Sequence, residues 1–337
     1  MTVLVTGGAG YIGSHMVHAL VDSGESVVVL DNLSTGFRSA LPASAPLVIG
    51  DCGDQNLVGA LIGAHGVTAI IHFAGSVVVP DSVLDPLGYY RNNTVNTRNL
   101  IEAAVQGGVR QFLFSSTAAV YGDPDSVPVA EDAPTRPVSP YGTSKLMREI
   151  MLRDVGAAHD LRHVILRYFN VAGADPQLRT GLASRNATHL LKVSVETALG
   201  LRPKIDVYGT HYPTPDGTCI RDYIHVSDLA RAHSAALNYL REGRPSATFN
   251  CGYGHGYSVL EVIEAVKRVC GRSFPVSFAA PRPGDPVTVV ADVSRIRAVL
   301  DWTPQLDHID TIAAHALAFE QRLQERARSA GQNAVSA

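Results

Sequence analysis

The chain has 337 residues, of which 46% are hydrophobic, 18% charged and 7% aromatic. That apolar share sustains a packed core and excludes wholesale disorder, while the length allows two domains of roughly 100–200 residues each. A formal net charge of −3, with no run of Lys and Arg, excludes the basic stripe of a protein built to bind nucleic acid.

No segment reaches the ~18 consecutive apolar residues of a membrane span. Met1–Gly7 has neither the basic start nor the apolar stretch of a signal peptide. Cys52, Cys219, Cys251 and Cys270 are scattered without C-x-x-C spacing, so neither a zinc site nor a disulfide framework is expected. A reducing, cytoplasmic setting follows as the expectation.

In chain order, strand Val3–Thr6 runs through a glycine-rich turn into a helix at Tyr11–Asp22. Strands follow at Val27–Leu30, Leu47–Ile49 and Ala69–Phe73, then a helix at Pro86–Gln106 that Gly107-Gly108 stops. Strand Phe112–Ser115, a helical stretch from Tyr141 to about Asp154, and strand Val164–Phe169 complete the first half. Short apolar strands alternating with helices imply an α/β fold, a doubly wound parallel sheet covered on both faces. Beyond about residue 170 Pro and Gly crowd the sequence. Strands Ile205–Tyr208, Thr248–Asn250 and Val276–Phe278 mix with helices Ala187–Gly200, Val226–Leu240 and Val259–Val269, which reads as a smaller mixed α/β C-terminal lobe.

Gly7, Gly10 and Gly13 lie between the first strand and the first helix, where glycine permits a tight turn and close approach of a pyrophosphate. The helix N-terminus adds a partial positive charge. Strand two ends at Asp31, 18 residues past Gly13, at the distance that suits ribose hydroxyls. Asp31-Asn32 therefore favours NAD over NADP, whose 2′-phosphate a carboxylate repels. The expected division is a Rossmann-like NAD-binding domain at 1–170, onto which about 222–247 packs back, a substrate lobe at 171–330, and a frayed tail at 331–337.

Tyr141 and Lys145 stand four residues apart on one helix face. A phenol with a pKa of ~10 is a poor base near neutrality, but a neighbouring ammonium and a positive nicotinamide ring favour the phenolate. Upstream, Ser115-Ser116-Thr117 follows an apolar strand, at the strand end where such sheets bind ligands. Thr117 is thus a candidate partner for a substrate hydroxyl.

With these motifs in place, the chain resembles the extended short-chain dehydrogenase/reductase superfamily, and within it the UDP-galactose (UDP-glucose) 4-epimerases, over about residues 1–325. The resemblance rests on Thr6–Ser14, His72–Gly75, Tyr89–Asn93, Ser115–Gly122, Tyr141–Lys145, Leu166–Asn170, Asp216–Val226 and Arg282–Asp285. It implies that NAD is cradled by Gly7, Gly10, Tyr11, Ile12 and Gly13, with Asp31 and Asn32 on its ribose. Asp51 and Cys52 would flank the adenine, Phe73, Ala74, Asn92 and Ser115 would line the cofactor, and Tyr168 would lie near the nicotinamide. Tyr141, Lys145 and Thr117 would be catalytic. Asn170, His189, Tyr208, Arg221, Arg282, Asp285 and Val289 would hold the UDP-sugar, the two Arg reading the diphosphate. The implied reaction inverts sugar C4 by transient hydride transfer to tightly bound NAD through a 4-keto intermediate.

The sequence also departs from the family. Many members carry a Lys shortly after Phe-Ala-Gly, where this chain reads Ser76-Val77-Val78-Val79, and His189 stands where an Asn often serves. Val289 falls at a position associated with the size of the sugar pocket, so hexose, N-acetylhexosamine and pentose UDP-sugars all stay open. Two rivals remain. The related dehydratases and decarboxylases carry acidic residues before Val-Tyr-Gly, where Ala118-Ala119 stand here. A non-catalytic NAD-sensing protein would need no Tyr–Lys pair. His15 with His18, and His159 with His163, have helical spacing, but hydride chemistry needs no metal and none is expected. The resemblance further implies a homodimer paired through the helices near Pro86–Gln106 and Tyr141–Asp154; Val95, Leu100, Leu146 and Ile150 offer apolar faces that suit such a pairing or, equally, packing on the sheet. No nucleic acid or membrane partner is expected.

Overall fold

The computed structural model describes residues 1–184, 188–282 and 284–335. The chain begins with β1 (Thr2–Thr6), α1 (Tyr11–Asp22), β2 (Ser26–Asp31), β3 (Leu47–Ile49), α2 (Gln55–His65) and β4 (Val67–His72). Next come α3 (Val79–Leu84), α4 (Pro86–Tyr89), a π-helical turn at Tyr90–Val95, α5 (Asn96–Gln106), β5 (Gln111–Thr117), α6 (Pro140–Ala158) and β6 (Arg162–Tyr168). The remainder comprises β7 (Asn170–Ala172), α7 (Leu190–Ala198), β8 (Ile205–Tyr208), β9 (Ile220–Arg221), β10 (Tyr223–His225), α8 (Val226–Arg241) and β11 (Ala247–Cys251). Then follow β12 (Tyr257–Ser258), α9 (Val259–Cys270), β13 (Val276–Ala279), β14 (Thr288–Val289), α10 (Ser294–Val299) and α11 (Ile309–Val335).

Seven strands form one parallel sheet in the order β11-β6-β5-β4-β1-β2-β3. Successive side chains of a strand point to opposite faces. Val3 and Val5 accordingly join a core with Met16 and Val17 of α1 and Leu229 of α8, while Leu4 joins the opposite core with Val58 of α2, Leu100 of α5 and Leu152 of α6. Both faces are dry, which is why the strands read as unbroken apolar runs. The first core continues into the C-terminal lobe through Leu191, Ile205, Ile263, Trp302 and Ile312, so lobe and sheet share one interior.

The structure departs from the sequence reading in several places. Thr248–Asn250, read as part of the lobe, belongs to β11, the sheet's seventh strand, hydrogen-bonded to β6. The helix read as continuous over Pro86–Gln106 is interrupted by the π-helical turn, which widens the coil by one residue and points Asn93 into the interior. Helix α7 begins at Leu190, and Ala187, where the sequence reading began it, lies outside the described residues. The stretch after Gly331 continues α11 to Val335; Ser336 and Ala337 lie outside the described residues. No helix among the described residues is long and apolar enough to cross a membrane.

Candidate active site

The strand order reverses between β1 and β4, the point at which open α/β sheets bind ligands. There the backbone N–H groups of Phe73 and Ala74 both donate to Thr6 O, at 2.9 and 3.1 Å, stitching the two strand ends together. Gly7 follows with φ +70°, and a Cβ on it would stand 2.5 Å from Ala74 N. A Cβ on Gly13 would meet Gly7 O at 2.2 Å, so α1 can start this close to the strand only without a side chain there. The cap of α1 is Gly10, which makes no side-chain cap hydrogen bond and leaves the first-turn N–H groups, those of Tyr11, Ile12 and Gly13, to an outside anion. A cradle of this shape fits a dinucleotide diphosphate. The Tyr11 ring leaves the loop, and its hydroxyl donates to Gly173 O at 2.7 Å.

Asp31 closes the loop from the end of β2. Its carboxylate accepts from Ala9 N at 2.9 Å and Leu33 N at 2.8 Å, and so orders the turn that it borders. Asn32 accepts from Ser34 N at 3.0 Å. Asp51 accepts from Gly53 N and Asn96 Nδ2, and burial pushes the adjacent Cys52 thiol up to about 12, out of the range of a reactive thiolate. Asn92 donates to Ser76 Oγ at 2.8 Å, while Asn93 accepts from Ser76 N at 2.8 Å and donates to Ser144 Oγ at 3.0 Å. The π-helical turn thus fixes the segment after Gly75. Asn93 was missed by the sequence reading, which could not see that the helix widens there.

Three hydroxyls end β5, and they go three ways. Ser115 is fully buried, with Oγ 3.0 Å from His233 Nε2 of α8 and a side-chain hydrogen bond to Tyr168, the residue expected near the nicotinamide. Ser116 Oγ donates to Glu149, which is paired with Arg167 in a buried bridge of 2.6 Å. Arg167 also donates to Tyr121 Oη at 2.9 Å, and Tyr121 donates to Asn250 of β11 at 2.6 Å. This network ties β5, α6, β6 and β11 together. Thr117 alone of the three meets Tyr141, through a side-chain hydrogen bond.

Helix α6 is started by Ser139, whose Oγ accepts from Gly142 N at 3.2 Å, with Pro140 in its first turn. That start fixes Tyr141 at the mouth of the cleft, 7% exposed. One turn on, Lys145 Nζ donates to Ser115 O at 2.8 Å and lies 5.9 Å from the Tyr141 ring centroid. Tyr168 is buried beside them and bonded to Ser115. Phe73 packs its ring 4.9 Å from that of His233.

The electrostatics differ from the expectation. Burial raises the Tyr141 pKa, against which the Thr117 hydrogen bond and the Arg148 charge pull it down. Lys145 is driven far below an ordinary lysine by burial first and by Arg148 second, with Glu149 opposing. The expected lowering of Tyr141 by its lysine is therefore absent in the protein alone, because desolvation outweighs the neighbouring charges. Arg148 itself was passed over in the sequence, although i, i+4, i+7 spacing from Tyr141 puts it on the same face.

In the lobe, Arg221 Nη2 donates to Asp285, and Arg282 lies with its guanidinium 4.0 Å from the Tyr208 ring centroid. Strand β9 pairs with β14, so Arg221 and Val289 are neighbours in register. Asn170 starts β7 and is exposed, and His189 immediately precedes α7 without a side-chain capping hydrogen bond. Asp222, a conceivable partner for Arg221, instead accepts from the backbones of Tyr253, Gly254 and Ala291. His15 and His18 spend ring nitrogens on the carbonyls of Tyr11 and Ala40, and His225 caps α8 while bonding His315.

A Rossmann-type sheet with a Gly-rich turn at its switch point and a buried Tyr–Lys pair beside it defines an NAD-linked short-chain dehydrogenase/reductase architecture. Residues 3–252 match the NAD dependent epimerase/dehydratase family, and the chain belongs to it; NAD is its cofactor. The UDP-glucose 4-epimerase of Azospirillum brasilense is 57% identical over 98% of this chain and 94% of its own length. The UDP-glucose 4-epimerase of Brucella ovis, solved in complex with NAD, superposes with a TM-score of 0.92 at 42% identity, covering 94% of this chain and 97% of that one. The UDP-Glc/GlcNAc 4-epimerase of Campylobacter jejuni gives a TM-score of 0.84 at 47% identity, over 95% and 99%.

Proposed function

We propose that this protein is an isomerase, a UDP-glucose/UDP-galactose 4-epimerase. The observation that carries the reading is the Thr117–Tyr141 hydrogen bond with buried Lys145 one turn on, beside a glycine-capped helix. Relatives of that name at up to 57% identity support it. Tyr141 takes the proton of the sugar 4-hydroxyl, directly or through Thr117. Lys145, which Ser115 O holds in place, steadies the Tyr141 oxygen and the ribose beside it. NAD, when bound, supplies the acceptor and the returning donor of the C4 hydride. Arg221 and Arg282 hold the UDP diphosphate, with Asp285 orienting Arg221, while the 4-keto sugar turns over. Ala118-Ala119 offer no acid or base for elimination or decarboxylation, which disfavours those rivals.

Val289 is small beside Arg221, and one solved relative is a UDP-Glc/GlcNAc 4-epimerase, so the pocket accepts N-acetylated sugars as well as hexoses. A homodimer fits the exposed apolar side chains of Val83, Leu84, Leu87, Val95 and Ile150, which line the outer face of α3–α6. Of the four apolar side chains that suited either side, Leu100 is in the core under the sheet and Leu146 packs against the other core. Free, unpaired Cys52, Cys219, Cys251 and Cys270 suit a cytoplasmic setting.

The test is interconversion of UDP-glucose and UDP-galactose, and of the N-acetylated pair, by purified enzyme without added NAD. Tyr141→Phe is expected to lower the rate by about 10²–10⁴ while keeping the fold, since its hydroxyl bonds only at the cleft. Near-normal turnover by that variant, or NADH release in step with turnover, overturns the reading.

A further inference from the structure

Arg148 is among the largest side chains fully buried in the protein. It follows Tyr141, Ser144 and Lys145 along the inward face of α6. Nη1 donates to Ala74 O at 3.2 Å, whereas Nε and Nη2 have no partner. Other arginines with an unpartnered nitrogen, Arg231 and Arg241, hold the carboxylates of Asp228 and Glu25. Among the described residues Arg148 holds none. The carboxylate next in sequence, Glu149, is committed to Arg167.

Room for the guanidinium is made on purpose. A Cβ on Gly75 would stand 2.8 Å from Arg148 Nη2, so a larger residue after Ala74 would displace it. Its carbon lies 5.6 Å from the Phe114 ring centroid, and Lys145 Nζ lies 5.2 Å from the same centroid. Two cations therefore flank one ring beneath the catalytic tyrosine. A buried charge without a counter-ion is costly, and here one hydrogen bond to Ala74 O and the face of Phe114 are all that offset it among the described residues. Its charge acts on a neighbour, lowering the pKa of Tyr141.

We propose that Arg148 is a positioning residue for the proposed reaction: its buried, carboxylate-free guanidinium stabilises the negative charge that Tyr141 must carry to act as the base. This rests on Tyr141 being the base. The ionisable groups around the pair are Lys145 and Glu149 on α6, His72 on β4, Tyr168 on β6, Cys52 before α2 and Tyr89 on α4. His72 is held neutral by burial, and Cys52 and Tyr168 are held neutral by burial as well. Glu149 is neutralised by its own arginine. Arg148 keeps its proton at neutral pH even though burial lowers it to about 10. It lowers Tyr141 and also lowers Lys145. A guanidinium suits this task because its intrinsic pKa is higher than that of an ammonium, so burial leaves it charged at neutral pH.

The experiment uses purified enzyme with its NAD. The Tyr141 phenolate is titrated by ultraviolet difference absorbance, wild type against Tyr141→Phe and Arg148→Met against Arg148→Met/Tyr141→Phe, and kcat/KM is followed against pH. Arg148→Met is expected to move the phenolate titration and the acid limb of kcat/KM upward together, by about one pH unit or more, with little change in KM. Leu152→Ala, a packing change one turn further along the same face, is expected to lower Tm and leave both pH readouts in place. If Arg148→Met does not fold, Arg148→Gln, which retains a donor for Ala74 O, replaces it. Unmoved titration and acid limb overturn the proposal, and so does failure of both variants to fold, which would make Arg148 purely structural. An active Tyr141→Phe would instead overturn the reading of Tyr141 as base, which separates the two failures.

Discussion

Replacing Gly7 by Ala tests whether the cofactor cradle depends on backbone contact. Two costs add. A side chain at φ +70° costs about 1–2 kcal/mol, and a Cβ placed 2.5 Å from Ala74 N forces an overpacked backbone shift of about 1–3 kcal/mol. Ala74 cannot simply retreat, because its N–H and that of Phe73 are both bound to Thr6 O. Gly66 provides the internal control. Its φ is +58°, but nothing lies within 4 Å of its would-be Cβ, so Gly66→Ala carries the first cost alone. An unfolding entropy of about 2.1 cal/mol/K per residue gives about 0.7 kcal/mol/K for 337 residues. Gly7→Ala is then expected to lower Tm by about 3–7 °C, and Gly66→Ala by about 1–3 °C. Calorimetry of the NAD-stripped proteins reads the difference. Because the shift moves Gly7 away from Ala74, NAD recovered per chain after gel filtration is expected to fall for Gly7→Ala and stay at the wild-type level for Gly66→Ala. Equal Tm losses with equal NAD retention would refute the close-approach argument.

Acid is expected to unfold the protein from pH 6.5 downward. Burial lowers His15, His163 and His233 to about 4, below the 6.5 of an unfolded chain, so the unfolded state takes up the protons first. Stability is complete above pH 6.5 and is lost toward pH 4, at up to about 1.4 kcal/mol per pH unit for each histidine; urea midpoints that stay flat between pH 7 and 5 would contradict this. Val289→Tyr is expected to cut kcat/KM for the N-acetylated UDP-sugar by about 5- to 160-fold, since overpacking costs about 1–3 kcal/mol, while sparing UDP-glucose. Equal losses on both sugars would remove Val289 as a determinant of pocket size.

Much of the sheet was legible because strands covered on both faces must be continuously apolar, as in Val3-Leu4-Val5 and Phe112-Leu113-Phe114. The glycine spacing and the Tyr141–Lys145 pair were legible because each depends on local geometry. What escaped depends on distant packing. Nothing local in Thr248–Asn250 says whether it edges the main sheet or a lobe, since a strand's partner is fixed by the return path of α8. The π-helical turn is set by Asn93 bonding to Ser76 and Ser144, residues far away in sequence. Ser115, Ser116 and Thr117 are alike as letters, yet the helices packed around the end of β5 give them three different partners, His233 of α8, Glu149 and Tyr141 of α6.

The same burial sets the electrostatic problem that Tyr141 poses. A tyrosine exposed enough to keep an ordinary pKa would also admit water to the sugar carbon from which hydride departs, and water there invites side reactions of a 4-keto sugar. Enclosing Tyr141 excludes that water but raises its pKa and lowers that of Lys145. The site therefore benefits from positive charge that enclosure weakens least. A guanidinium is one such group and the oxidised nicotinamide ring is another. On this reasoning, if Tyr141 is the base, bound NAD would supply its share of positive charge only while oxidised. Tyr141 would then keep a captured proton until the hydride is returned, which would hold proton and hydride transfer in step.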